Sequence, residues 1–208
     1  MKKTTKGSLM PSRLALLAVA VNLASFGLTA MQSAEAAETA ETAKGMNKAQ
    51  VERGRYLVNT SGCHDCHTPM KMGANGPEPD MARMLSGHPA GMQLPPVPAL
   101  PPSPWMMVVA ASNTAWSGPW GVSFTANLTP DAETGLGKWS VKDFKDTIRT
   151  GRHLGRGRTI LPPMPIPAYS QMNDRDLEAI FAYLRTVPAV SNAVPEPWAP
   201  PAAPVASK

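Results

Sequence analysis

The chain has only two cysteines, Cys63 and Cys66, and they stand three positions apart in Ser61-Gly62-Cys63-His64-Asp65-Cys66-His67. A bridge across that two-residue gap would restrict almost none of the chain, so no disulfide framework supports this fold. With 208 residues and 43% hydrophobic content, the chain must build one modest hydrophobic core of its own. What the two thiols are for depends on the compartment in which they work.

The N-terminus reads as an export segment. Lys2, Lys3, Lys6 and Arg13 precede an uncharged run from Leu14 to Ala30, and Ala34-Glu35-Ala36 supplies an A-x-A cleavage site. Residues 1–36 are therefore expected to be a signal peptide, with a periplasmic mature chain starting near Ala37. The competing reading is an uncleaved anchor helix, which would tether the protein to the membrane. No later stretch has 18 apolar residues, so no stable transmembrane segment is expected after cleavage.

In C-x-x-C-H the two thiols add to the vinyl groups of a haem and the adjacent histidine lies under the iron. Cys63 and Cys66 are thus candidates for covalent attachment of one haem c, and His67 for an axial ligand to its iron. A redox-active dithiol is disfavoured, because Thr68-Pro69 and a Pro/Gly-rich stretch follow where a helix is required. A structural zinc site lacks a second ligand pair, since His88 and His153 are far apart in sequence.

Charge excludes another class. The full chain has a formal net charge of +5. Removing residues 1–36 takes away four basic residues and one acidic one, leaving 16 Lys+Arg against 14 Asp+Glu, or +2. One short basic stretch, Arg149 to Arg158, on a nearly neutral chain is a poor footprint for nucleic acid. It is a candidate for pairing with haem propionates or an acidic partner, or else a solvated loop.

The second axial ligand separates electron carriers from haem enzymes and ligand sensors, which keep an exchangeable sixth position. Met70, Met72, Met81, Met84 and Met92 lie in Gly-rich sequence close behind the motif, and Met106-Met107 opens an apolar run. Met164 differs, because Leu161-Pro162-Pro163-Met164-Pro165-Ile166-Pro167 surrounds it with prolines that fix most local φ angles. Such a loop can hold one thioether against a metal, or merely pack it. His88 and His153 are the other candidates.

Helices are expected over 47–59, from Ser140 to Gly151, and from an Asn173 N-cap to Leu184. Residues 37–46 read as a flexible leader and 191–208 as an irregular Pro-rich tail. Residues 69–126 read as an extended Pro-rich insertion, with six prolines between Pro95 and Pro104. Trp105, Trp116 and Trp120 argue that its second half packs. No strand-rich section is expected.

Helix, C-x-x-C-H, long loop section, Pro-flanked Met and a last helix containing Ile180-Phe181-Ala182-Tyr183-Leu184 together resemble a class I cytochrome c. More closely, Gly62 to Pro69, Asn127-Leu128-Thr129-Pro130-Asp131, Thr134-Gly135-Leu136-Gly137 and Pro162-Pro163-Met164-Pro165 are similar to domains of the cytochrome c subunits of periplasmic alcohol and aldehyde dehydrogenases. The resemblance covers about residues 48–190 and implies an all-α, cytochrome c-like fold over 47–190, wrapped around one haem. It implies His67 and Met164 as iron ligands, a Gly54–Tyr183 contact between the first and last helices, and the carbonyl of Pro69 as the group that orients His67. It also implies an electron carrier, not an enzyme, that serves a dehydrogenase or respiratory chain and delivers electrons to an oxidase or other acceptor.

Overall fold

The computed structural model describes residues 48–98 and 104–200. The expected signal peptide and leader lie outside the described residues. The first described helix, α1, covers 48–60 and buries Leu57 and Val58. A short helix α2 follows at Cys63–His67, entered through Gly62 in the left-handed region. The remaining helices are α3 (Val141–Thr150), α4 (Ile166–Tyr169) and α5 (Asp174–Leu184).

The capping chemistry read from the sequence is built as written. The Ser140 hydroxyl and the Asp143 carboxylate form a reciprocal capping box, and Gly151 ends α3 with φ 64°. Asn173 Oδ1 accepts the Asp176 N–H at 2.9 Å to open α5. Leu177, Ile180, Phe181 and Leu184 of α5 share one core with Leu57 and Val58 of α1 and with Phe144 and Ile148 of α3.

Gly54 is where α1 approaches α5. A Cβ there would lie 1.9 Å from the carbonyl oxygen of Ala179 and 2.8 Å from Cβ of Tyr183. Only a residue without a side chain lets the two backbones pack this closely. Beside that crossing, Arg53 grips Asp176 at 2.9 Å.

The fold is not all-α. Two small antiparallel sheets stand within the section expected to be an extended loop. Strands β1 (Met70–Gly73) and β2 (Gly76–Pro79) form a hairpin. Strands β3 (Val108–Val109), β4 (Ala115–Gly118) and β5 (Gly121–Phe124) form a meander in that order. None exceeds four residues, and β2 contains Pro77 and Pro79, so the period-two alternation that identifies a strand has no length in which to appear. Pairing is set by turns instead. Gly73 opposes Gly76 across a two-residue connection, and Gly118 opposes Gly121 across another.

A second apolar cluster of Ala115, Val122 and Phe124, joined by Leu94, Ala110 and Val194, holds the meander. The chain after α5 contributes to it. Val122 and Trp198 exchange backbone hydrogen bonds of 3.0 and 2.9 Å, so the tail covers the outer edge of β5.

Candidate haem-attachment site

Cys63 and Cys66 lie one turn apart on α2, which puts both side chains on one face, and His67 closes the helix. Both thiols are free and half-buried. Burial pushes the Cys63 thiol up to about 11 and raises Cys66 as well, with the Asp65 carboxylate adding to both. A redox-active C-x-x-C depends on the opposite shift, because the thiolate is the nucleophile. Among the described residues no three His, Cys, Asp or Glu side chains converge to hold a metal. A protein-only zinc site, which needs four such ligands, does not form among them.

His67 is 8% exposed, and burial lowers its basicity, so the ring is neutral. Its Nδ1 lies 2.8 Å from the carbonyl oxygen of Ala126. A carbonyl only accepts, so Nδ1 carries the proton and the Nε2 lone pair is left over. This overturns the assignment of Pro69 as the orienting group. The Pro69 carbonyl accepts the Asp80 N–H at 2.8 Å instead, and so belongs to the base of the β1–β2 hairpin.

Ala126 is held by the motif that follows it. Asn127 Oδ1 accepts the Thr129 N–H at 2.9 Å and the Thr129 hydroxyl at 2.7 Å, while its amide donates to Val190 O at 2.8 Å. Asp131 Oδ1 accepts the Thr134 N–H and hydroxyl, both at 2.7 Å, and the Gly135 and Gly137 N–H groups bond to the Asp131 carbonyl. The role of Asn127-Leu128-Thr129-Pro130-Asp131 is therefore to clamp the backbone that presents a carbonyl to His67. The motif is legible in the sequence but the carbonyl is not, since a backbone acceptor has no residue signature.

Residues 85–88 fill the space between. Gly87 N–H donates to His67 O at 2.8 Å, His88 N–H to Thr125 O at 2.9 Å, and Leu128 N–H to Leu85 O at 2.9 Å. Gly87 has φ 77°, and a Cβ there would lie 2.3 Å from Thr125 O. Thr68, fully buried, ties the strip to α2. Its hydroxyl oxygen accepts the Leu85 N–H at 3.0 Å and lies 2.9 Å from His64 Nδ1.

Met164 is half-buried and packs against the main core, as do Cys63, Met84 and Met172. The segment that follows it reaches the cysteine pair: the Tyr169 hydroxyl of α4 donates to the Ser61 carbonyl. Burial, with Cys63, Cys66 and Asp65 adding to it, pushes that hydroxyl up to about 12, so it stays a donor. Met72, Met81, Met92, Met106 and Met107 are exposed.

The other sixth-ligand candidates have partners of their own. His88 is 1% exposed, packs against Phe124 with ring centres 4.8 Å apart and planes tilted by 48°, and bonds Thr114 Oγ1 through Nδ1 at 2.9 Å. It serves the smaller cluster. His153 lies edge-on to Trp139. Most of the basic stretch is already paired: Arg149 with Asp174 at 2.7 Å, Arg158 with Glu196 at 3.1 Å and Arg156 with Asp143 at 3.7 Å. No described helix is long and apolar enough to cross a membrane.

The donor set suits a c-type haem: two unbridged thiols on one helix face and a neutral histidine fixed at Nδ1, beside a core into which Met164 also packs. No family model matches the chain. Over 137 residues it is 29% identical to the gluconate 2-dehydrogenase cytochrome c subunit of Pantoea cypripedii, covering 66% of the chain and 23% of that protein. The cytochrome c subunit of quinone alcohol dehydrogenase from Gluconobacter oxydans is 26% identical over 141 residues, covering 68% and 22%. The cytochrome subunit of fructose dehydrogenase from Gluconobacter japonicus is 25% identical over 140 residues, covering 67% and 22%. The chain thus spans less than a quarter of the length of these relatives. Over about two thirds of its own length the chain is related to the cytochrome c subunits of dehydrogenases.

Proposed function

We propose that the protein is a periplasmic monohaem cytochrome c, exported by residues 1–36, that passes single electrons from a dehydrogenase to an oxidase or other acceptor. In this reading Cys63 and Cys66 attach the haem covalently, and His67 and Met164 ligate its iron. When bound, the haem supplies a reversible one-electron change between ferric and ferrous iron. The observation that carries the reading is the His67–Ala126 hydrogen bond beside two free cysteines. It fixes the tautomer, leaves the Nε2 lone pair unprotonated and raises the ligand's basicity. Cys63 of α2 and Met164 both pack against the main apolar core, which supports placing the haem between them. The dehydrogenase partner is inferred from the relatives, and the cytochrome unit extends over 47–190 with the Pro-rich section inside it.

The test uses the mature protein made in a host that matures c-type haem. One haem should remain on the denatured chain by mass, and its loss from Cys63→Ala or Cys66→Ala variants should follow. The ferric spectrum should contain a methionine-to-iron charge-transfer band that disappears in Met164→Ala. Ready binding of carbon monoxide to the reduced wild-type protein would instead favour a haem enzyme or ligand sensor with an exchangeable sixth position.

A further inference from the structure

The Pro-rich section has no role in the reading above, yet one of its side chains reaches the Met164 loop. Ser123, in the middle of β5 and 7% exposed, places its hydroxyl 2.5 Å from the carbonyl oxygen of Pro162, two residues before Met164. The same hydroxyl oxygen is 3.3 Å from the carbonyl of Trp116 across the sheet. A hydroxyl has one proton to donate, and the shorter contact takes it.

The loop cannot anchor itself well. Between Leu161 and Pro165 three residues are prolines, which have no N–H. Such a segment must be held through its carbonyls, by donors supplied from elsewhere. No Asp, Glu, Lys or Arg occurs between Arg83 and Asp131, so no charged side chain of that stretch competes for the Ser123 proton. Ser123 is itself fixed, paired with Trp116 in β4, while its neighbour Val122 is locked to Trp198. On the far side of Met164, Ile166 N–H bonds the Met164 carbonyl at 2.9 Å, and α4 is tied to Ser61 by Tyr169. The loop is therefore pinned before and after Met164, and the first pin comes from the insertion.

We propose that Ser123 is a positioning residue for the axial thioether, and that the β3–β5 meander exists to hold the Met164 loop closed through the Pro162 carbonyl. The inference rests on the assignment of Met164 as an iron ligand. Losing the hydrogen bond raises the chance that the loop opens and vacates the sixth position.

The experiment titrates imidazole into the ferric haem protein, where it competes with Met164. Ser123→Ala should bind imidazole about 2- to 10-fold more tightly than wild type, the fold-change equivalent to one hydrogen bond of ordinary net strength. Its charge-transfer band should weaken while haem content stays the same, and Ser123→Thr, which keeps the hydroxyl, should restore both. Gly54→Ala, at the α1–α5 crossing outside the meander, provides the control: it should lower the melting temperature and leave imidazole affinity unchanged. If Ser123→Ala yields no haem protein, Ser123→Cys, with a much weaker donor, is read in the same way. Wild-type imidazole affinity in the Ser123 variant, or an equal rise in Gly54→Ala, overturns the positioning role. A wild-type band that survives Met164→Ala overturns the ligand assignment instead.

Discussion

The Nδ1–H of His67 donates to the carbonyl of Ala126, 59 positions further along the chain, at 2.8 Å. That single bond joins α2 to the Asn127–Asp131 turn and decides which ring nitrogen is left for a metal. The groups around it should respond to substitution in ways that separate support of the site from bulk stability.

Thr68→Val preserves shape but removes the oxygen that accepts the buried Leu85 N–H. Leaving that donor unsatisfied should cost about 1–3 kcal/mol in chemical denaturation. A variant as stable as wild type would mean that the N–H finds another partner.

Asn127→Ala should be at least as damaging. The residue is 4% exposed, its amide donates to Thr134 and Val190, and its Oδ1 accepts twice from Thr129. A loss of about 2–4 kcal/mol is expected, since several buried groups lose partners together. The comparison is made by denaturant midpoints at constant slope.

Gly54→Ala places a methyl carbon 1.9 Å from the Ala179 carbonyl, so the α1–α5 crossing must open. Overpacking of this kind costs about 1–3 kcal/mol, or about 2–4 °C of melting temperature per kcal/mol in a domain of this size. Gly91→Ala, where an added Cβ meets nothing within 4 Å, should melt with the wild type.

Burial holds His88 below the ordinary histidine range. In the unfolded chain it titrates near ~6.5, so below that pH the unfolded state takes up a proton that the folded state refuses. The stability associated with neutral His88 is therefore complete above about pH 6.5 and falls as the pH drops from there toward the folded-state value. His88→Asn, which keeps a partner for Thr114, should be less stable at neutral pH but lose less on acidification to about pH 5. Parallel wild-type and variant curves would exclude His88 as a source of the slope.

Local chemistry was legible without coordinates. The Ser140 capping box, the Asn173 cap and the apolar face of α5 each depend on residues close in sequence or on a strongly patterned helix face. The two sheets were not legible, because strands of two to four residues broken by proline and glycine have no periodicity to read. The meander is held because Phe124, Val122 and Ala115 find Leu94, Val194 and the tail at Trp198.

The amino-acid sequence alone supplied the side chains to which the proposed haem is assigned: two thiols at the spacing of C-x-x-C-H, a histidine beside them and a methionine among prolines. Tertiary structure decided how those groups are held. Pro69 was the orienting carbonyl expected from the resemblance, and Ala126 took its place, because a backbone acceptor is chosen by where the chain folds back and not by its residue type. The same holds for Ser123 at Pro162, 39 positions apart. A proline loop announces that it lacks N–H donors, but only the folded chain supplies the hydroxyl that answers its carbonyl.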